Sequence, residues 1–202
     1  MRRTIKFLPV LLGITSTYLY CRQEGSNLYV WGSGRNGELG LGVESNVPLP
    51  TLLQNMKFVD ISARKACSAA ITVDGKLYTW GNSRNGVLGH DTANMNILMP
   101  KALPLAESFK QVSCGYQHMC AVTSNGEVYI WGNIDDSAGK FRSIGTKETE
   151  RKGSDRHARK IANLADIQEV ACSAEHTVAR SSTGSVYSWG NKKRIGREGS
   201  ES

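Results

Sequence analysis

Leu28-Tyr29-Val30-Trp31-Gly32 returns as Leu77-Tyr78-Thr79-Trp80-Gly81, Val128-Tyr129-Ile130-Trp131-Gly132 and Val186-Tyr187-Ser188-Trp189-Gly190, and these four pentapeptides hold every tryptophan of the 202-residue chain. The tryptophans stand 49, 51 and 58 residues apart. Self-similarity at a near-constant period marks a repeat architecture, in which a unit buries its apolar face only against its neighbours. Each pentapeptide reads as a strand. Its Tyr and Trp are assigned to opposite faces, so that one of them packs between neighbouring units; core packing is the expected role of both.

Working outward, a turn precedes each Trp strand: Asp74-Gly75, Asn125-Gly126 and Thr183-Gly184, with Glu24-Gly25-Ser26-Asn27 in the first copy. Asp-Gly and Asn-Gly tolerate the positive φ angles of a tight hairpin. Before the turns lie short apolar runs at 69–73, 120–123 and 177–179. Further upstream, 58–62, 109–113 and 167–171 are expected to alternate as half-buried strands. One period therefore holds several short strands and no long helix, which matches a four-stranded propeller blade. The expected fold is all-β, a partial β-propeller of about three to four blades, each a small antiparallel sheet. The repeat domain spans 24–202, with copies near 24–75, 76–126 and 127–184 and a partial one at 185–202.

A Gly-rich loop follows the Trp strand: Ser33 to Gly42 in copy one, with Glu38-Leu39-Gly40, and Asn82 to Asp91 in copy two, with Val87-Leu88-Gly89. It is no phosphate cradle, because no Gly-Lys-Ser/Thr follows and no helix opens behind it. Trp-Gly-x-[Gly/Asn]-x-x-Gly-x-Leu-Gly after a Tyr-x-Trp strand resembles the repeat of the regulator of chromosome condensation family. The resemblance runs from about residue 26 to residue 196. Ser113-Cys114-Gly115-Tyr116-Gln117-His118 is similar to that family's Gly-x-x-His element; copy four keeps His176 with Ser173 in the glycine place, and copy two has Ala63, Arg64 and Cys67 there. The family resemblance implies a seven-bladed ring, so this chain is read as an incomplete set of blades. Trp31, Trp80, Trp131, Trp189, Gly32, Gly81, Gly132, Gly190, His118 and His176 are read as structural repeat positions.

The formal charge of +7 is unevenly spread. Residues 1–23 carry four basic groups and no acid, and 139–163 carry eight basic and three acidic groups, leaving the repeat body with 13 basic against 15 acidic residues. A nucleic-acid binder more often carries a basic stripe across its body, so nucleic acid is not the expected partner. Residues 7–21 are mostly apolar but short of the ~20 needed to span a bilayer as a helix. The acid-poor segment 1–23 suits a mitochondrial presequence or anchor, or a secretory or endoplasmic-reticulum signal; its end also reads as the first strand of a blade. Mitochondrial localisation is the expectation, with a membrane-anchored or cytoplasmic chain as the alternatives.

Copy three loses the Leu-Gly loop and carries a charged stretch from Lys140 to Lys160. It reads as a solvated loop or as an electrostatic contact through Lys140, Arg142, Lys147, Arg151, Lys152, Arg156, Arg159 and Lys160. Of the five cysteines, Cys114 and Cys120 flank His118, but a strand is expected to point the three to mixed faces, and no second cluster supplies a fourth ligand. They are read as small core residues, with no metal and no cofactor. No nucleophile and orienting acid recur beside either histidine, so no catalytic set is expected. The functional expectation is a protein-interaction or scaffold module, within a mitochondrial or membrane-attached assembly, whose partner is a protein or a chain completing the propeller. The alternative, implied by the family resemblance, is a guanine-nucleotide exchange factor for a small GTPase.

Overall fold

Residues 18–20, 25–92, 95–133 and 154–190 are described by the structure, a computed structural model. Among them thirteen strands follow one another: β1 (Tyr18–Tyr20), β2 (Ser26–Gly32), β3 (Val47–Arg64), β4 (Cys67–Thr72), β5 (Leu77–Gly81), β6 (Ile97–Ala102), β7 (Phe109–Cys114), β8 (His118–Thr123), β9 (Val128–Asn133), β10 (Ser154–Lys160), β11 (Ile167–Cys172), β12 (His176–Ser181) and β13 (Val186–Gly190). The helical element among the described residues is a single short 3-10 turn, Arg84–Gly86. No described helix is long and apolar enough to cross a membrane.

Every strand pairs antiparallel with its sequence neighbour within three sheets: β1 to β6, β7 to β10, and β11 to β13. The first sheet is two blades sharing β3, whose first half pairs with β2 and whose second half pairs with β4. The described arc is therefore blade I (β1, β2, first half of β3), blade II (second half of β3 to β6), blade III (β7 to β10) and blade IV (β11 to β13). The blade frame is offset from the sequence copies, because each copy begins at the Trp strand, the third strand of a blade. Tyr18–Tyr20, the end of the segment read either as targeting sequence or as strand, pairs as β1 with Tyr29–Trp31.

Local chemistry accounts for the hairpins. Thr72 N–H donates to Lys76 O and Gly75 N–H to Thr72 O, and the same closure recurs at Thr123/Glu127 and Ser181/Ser185. This is a three-residue turn in which Gly75, Gly126 and Gly184 alone take the left-handed conformation, with φ of +79°, +81° and +88°. The glycine carries the turn, so Asp74, Asn125 and Thr183 are equally serviceable before it.

The inner strands depart from the expected simple alternation. Each carries a register shift after its first residue, between Phe58 and Asp60, Phe109 and Gln111, and Ile167 and Glu169. The bulge inserts one extra residue. Phe109 and Val112, and likewise Ile167 and Val170, are therefore buried three positions apart.

Three apolar cores lie between successive blades. Leu28, Val30, Phe58 and Trp80 fill the first; Ile71, Leu88, Phe109, Tyr129 and Trp131 the second; and Val122, Val128, Ile130, Ile167 and Trp189 the third. The Tyr and Trp of a copy share a face, contrary to the sequence expectation: they stand two residues apart, and strand side chains alternate with period two. Tyr129 and Trp131 both pack toward blade II, while Val128 and Ile130 face blade IV. Both faces of β4 and β8 are buried throughout, which explains their small residues Ala69, Ala70 and Ala121. The Leu-Gly loop of one blade closes on the tryptophan of the next. A Cβ on Gly40 would lie 2.8 Å from Trp80 Nε1, and one on Gly89 3.1 Å from Trp131 Nε1. Trp80 Nε1 donates to Glu38 O at 2.9 Å. The glycine after each Trp (Gly32, Gly81, Gly132, Gly190) also has positive φ.

Candidate functional site

The site is defined by how one blade receives the next. At the junction of blades II and III, Asp60 Oδ2 accepts from Val112 N–H at 2.7 Å, and Ser62 Oγ accepts from Cys114 N–H at 2.9 Å. At the junction of III and IV the same slots repeat the pattern: Gln111 Oε1 accepts from Val170 N–H at 2.8 Å, and Ser113 Oγ from Cys172 N–H at 2.9 Å. The turn glycines complete the clamp, Gly75 O accepting from Phe109 N–H and Gly126 O from Ile167 N–H, both at 2.9 Å. Burial pushes the Asp60 carboxyl up to about 6, partly offset by the N–H of Val112. Gln111 supplies the same acceptor without a charge.

Blade IV repeats this receiving face in part, with Ala171 standing where Ser62 and Ser113 accept, and among the described residues nothing covers it. Val186 is 61% exposed, whereas its counterparts Leu28, Leu77 and Val128 are 0%, 2% and 0% exposed. A Cβ on Gly184 would meet nothing within 4 Å, whereas one on Gly126 would lie 3.0 Å from Asp166 Cα and Ile167 N. Glu169 stands in the acceptor slot of Asp60 and Gln111. Arg180 replaces the apolar Ile71 and Val122, and its Nε donates to Glu169 Oε2 at 2.9 Å. The exposed face thus combines an apolar spot at Val186 with a surface ion pair. None of these residues was singled out by the sequence, where Val186 looks like any other strand-opening core residue.

The basic candidates divide. Lys140, Arg142, Lys147, Arg151 and Lys152 lie outside the described residues. Arg156, Arg159 and Lys160 are not loop residues: they belong to β10, which pairs with β9 and completes blade III. Arg156 Nη1 donates to Thr92 O at 3.3 Å and lies 3.9 Å from Asp91 Oδ1, tying β10 to the loop after β5. Lys160 Nζ pairs with Glu127 Oε1 on the adjacent β9 region. Arg156 and Lys160 are therefore engaged inside the arc.

His118 Nε2 lies 2.8 Å from Thr177 Oγ1 across the junction of blades III and IV, and both are buried. His176 occupies the equivalent slot in β12, where no further blade follows among the described residues. The three fall on mixed faces, as expected: His118 and Cys120, two residues apart on β8, share one face. Cys114 points the other way, its Sγ donating to Ser62 O at 3.4 Å. The thiol that joins His118 and Cys120 is Cys172 on β11, and the three donor atoms all lie within 4.8 Å of one another. Burial pushes the Cys67 thiol up to about 12 and the Cys114 thiol up as well, so these two are inert core groups.

Residues 26–71 and 74–122 match the family model for the regulator of chromosome condensation (RCC1) repeat, and 109–139 and 167–192 match a second model of the same description. The human E3 ubiquitin-protein ligase HERC2 is 31% identical over 198 residues, covering 92% of this chain and 4% of the ligase. The ultraviolet-B receptor UVR8 of Arabidopsis thaliana is 32% identical over 195 residues, covering 93% of this chain and 42% of the receptor. The chain thus spans less than half the length of either relative. Human WBSCR16 superposes with a TM-score of 0.72 at 23% identity over 88% of this chain and 45% of that one. Prp20p of Saccharomyces cerevisiae, which binds Gsp1p and histones, superposes with a TM-score of 0.66 at 24% identity over 85% of this chain and 42% of that one.

Proposed function

The chain belongs to the regulator of chromosome condensation repeat family, and from that premise we propose that it acts by binding a protein through the receiving face of blade IV rather than by catalysis. The observation that carries this reading is the exposure of Val186 in a slot that is closed at every other junction. Its occupant is a β-sheet surface of a partner protein, presenting an apolar side chain to Val186, a main-chain N–H to the Glu169 carboxylate and an acceptor to Arg180. Two internal junctions supply the template, since each joins sheet to sheet through an inner-strand acceptor and a turn glycine. An ion pair in place of a second apolar contact suits a partner that also lives in water.

A guanine-nucleotide exchange role is the second reading, supported by likeness of fold to Prp20p, itself a protein-binding propeller. Exchange needs no bond-making residues, only a face that stabilises a nucleotide-free GTPase. We favour the scaffold reading, in a mitochondrial assembly, because the acid-poor stretch ahead of β1 suits an address and, among the described residues, the receiving face of blade IV is open. Affinity capture of the natively expressed chain, with and without added guanine nucleotide, separates the two. Stoichiometric recovery of a non-GTPase complex supports the scaffold reading. A small GTPase recovered only when nucleotide is withheld would replace it with exchange.

A further inference from the structure

Four donor atoms meet at one point between blades III and IV. A ring nitrogen of His118 and Cys120 Sγ project from β8, and Cys172 Sγ comes from β11, all within 4.8 Å of one another. Thr177 Oγ1 on β12 caps them, 2.8 Å from the imidazole, 3.8 Å from Cys120 Sγ and 3.7 Å from Cys172 Sγ. A tetrahedral zinc site with Zn–S near 2.3 Å and Zn–N near 2.0–2.1 Å has donor-to-donor edges of about 3.4–3.8 Å. The two oxygen-to-sulfur edges already fall in that range; the edges among His118, Cys120 and Cys172 lie within 4.8 Å, and the 2.8 Å imidazole-to-hydroxyl edge opens by about half an ångström to complete the cage.

We propose that His118, Cys120 and Cys172 bind one zinc ion, with the Thr177 hydroxyl or a water in the fourth position. Two thiolates and a neutral imidazole balance the dication, so the loaded site carries no net charge, as a buried position requires. Loading displaces the two thiol protons to solvent as the Zn–S bonds form. Cys172, on the inner strand, is partly exposed as a residue.

The internal repeat supplies a control. At the junction of blades II and III the same four slots hold Cys67, Ala69, Cys114 and Met119. That set also holds two thiols but lacks the imidazole and the hydroxyl, has Ala69 in the Cys120 slot, and its Cys67 Sγ is committed to Asn82 O at 3.3 Å. The donor cluster is thus a property of one junction and not of the fold. Bound metal there pins blade III to blade IV, independently of what docks on the exposed face.

The test is titration of the full, reduced chain with Co²⁺ as spectroscopic probe, followed by displacement with Zn²⁺. One equivalent per chain is expected to give tetrahedral d–d bands and a thiolate-to-cobalt charge-transfer band, and Zn²⁺ is expected to raise the melting temperature. Cys172→Ser should weaken uptake by more than about a hundredfold, beyond what outer-sphere changes cost. Cys67→Ser, at the neighbouring junction, should leave uptake unchanged. Circular dichroism of both variants separates loss of ligand from loss of fold, and Cys172→Ala gives a second readout if the serine variant unfolds. Absence of the bands at one equivalent, their survival in Cys172→Ser, or a Cys120–Cys172 disulfide with no metal in freshly reduced protein would overturn the assignment.

Discussion

At the scale of single residues, a half-buried carboxyl and a buried imidazole give the arc opposite responses to acid. Asp60 has a folded pKa of about 6 against an ordinary 3.8 because burial disfavours its charge. The folded chain takes up that proton before the unfolded chain does, so this group makes stability rise as pH falls from 6 toward 3.8. His90, buried against Thr79 Oγ1 at 3.1 Å, is lowered from 6.5 to about 4 by burial and then by Lys101. Here the unfolded chain protonates first, and stability falls as pH drops through the window from 6.5 to 4. Asp60→Asn keeps an oxygen for the Val112 N–H, as Gln111 does one junction later. It is expected to stabilise the chain by on the order of 1–3 kcal/mol above pH 6 and to converge on the wild type below pH 4. His90→Gln should flatten the acid-side loss instead. Urea unfolding across pH 4 to 8 measures both; an Asp60→Asn curve parallel to wild type at all pH would show that Asp60 is not titrating in that window.

At the scale of the element, the turn between the second and third strands of a blade carries two separable costs. Gly126 and Gly184 have nearly the same φ, +81° and +88°, but only Gly126 abuts backbone of a following blade. Gly184→Ala is expected to cost about 1 kcal/mol, the left-handed backbone penalty alone. Gly126→Ala adds a steric displacement of Asp166 and Ile167, for a total of about 2–4 kcal/mol. Thermal melts of the pair isolate what the junction contributes; equal losses would mean that the turn is not clamped by its neighbour. Turn, Trp strand and Leu-Gly loop were legible in the sequence because each is a local rule repeated at fixed period. The bulge after Phe58, Phe109 and Ile167 was not, because register depends on the partner strand rather than on the bulged residues. Assigning Tyr129 and Trp131 to opposite faces overlooked a rule the sequence did offer, the two-residue spacing. Placing Arg156 and Lys160 in a loop followed their charge, but pairing of β10 with β9 and contacts to Asp91 and Glu127 make them strand residues.

At the scale of the whole molecule, stability and function are both properties of junctions. Three apolar cores and two columns of side-chain-to-main-chain hydrogen bonds hold the described arc together. The cluster at His118 was half legible: His118 and Cys120 stood two residues apart, but Cys172 lies 52 residues after Cys120 and is brought there by blade-on-blade packing. The receiving face was invisible, because Val186 and Val128 are the same residue type in the same slot and differ only in what covers them. The central claim is that this face binds protein, and the most direct test is paired affinity capture with Val186→Asp and Leu49→Asp. Both residues are exposed, at 61% and 72%, so neither change should unfold the chain, and Leu49 lies on the first half of β3, remote in sequence from the receiving face. The account expects Val186→Asp to lower partner recovery by about tenfold or more, a loss of at least about 1.4 kcal/mol, with Leu49→Asp matching wild type. Undiminished recovery with Val186→Asp, or a loss only with Leu49→Asp, would contradict it.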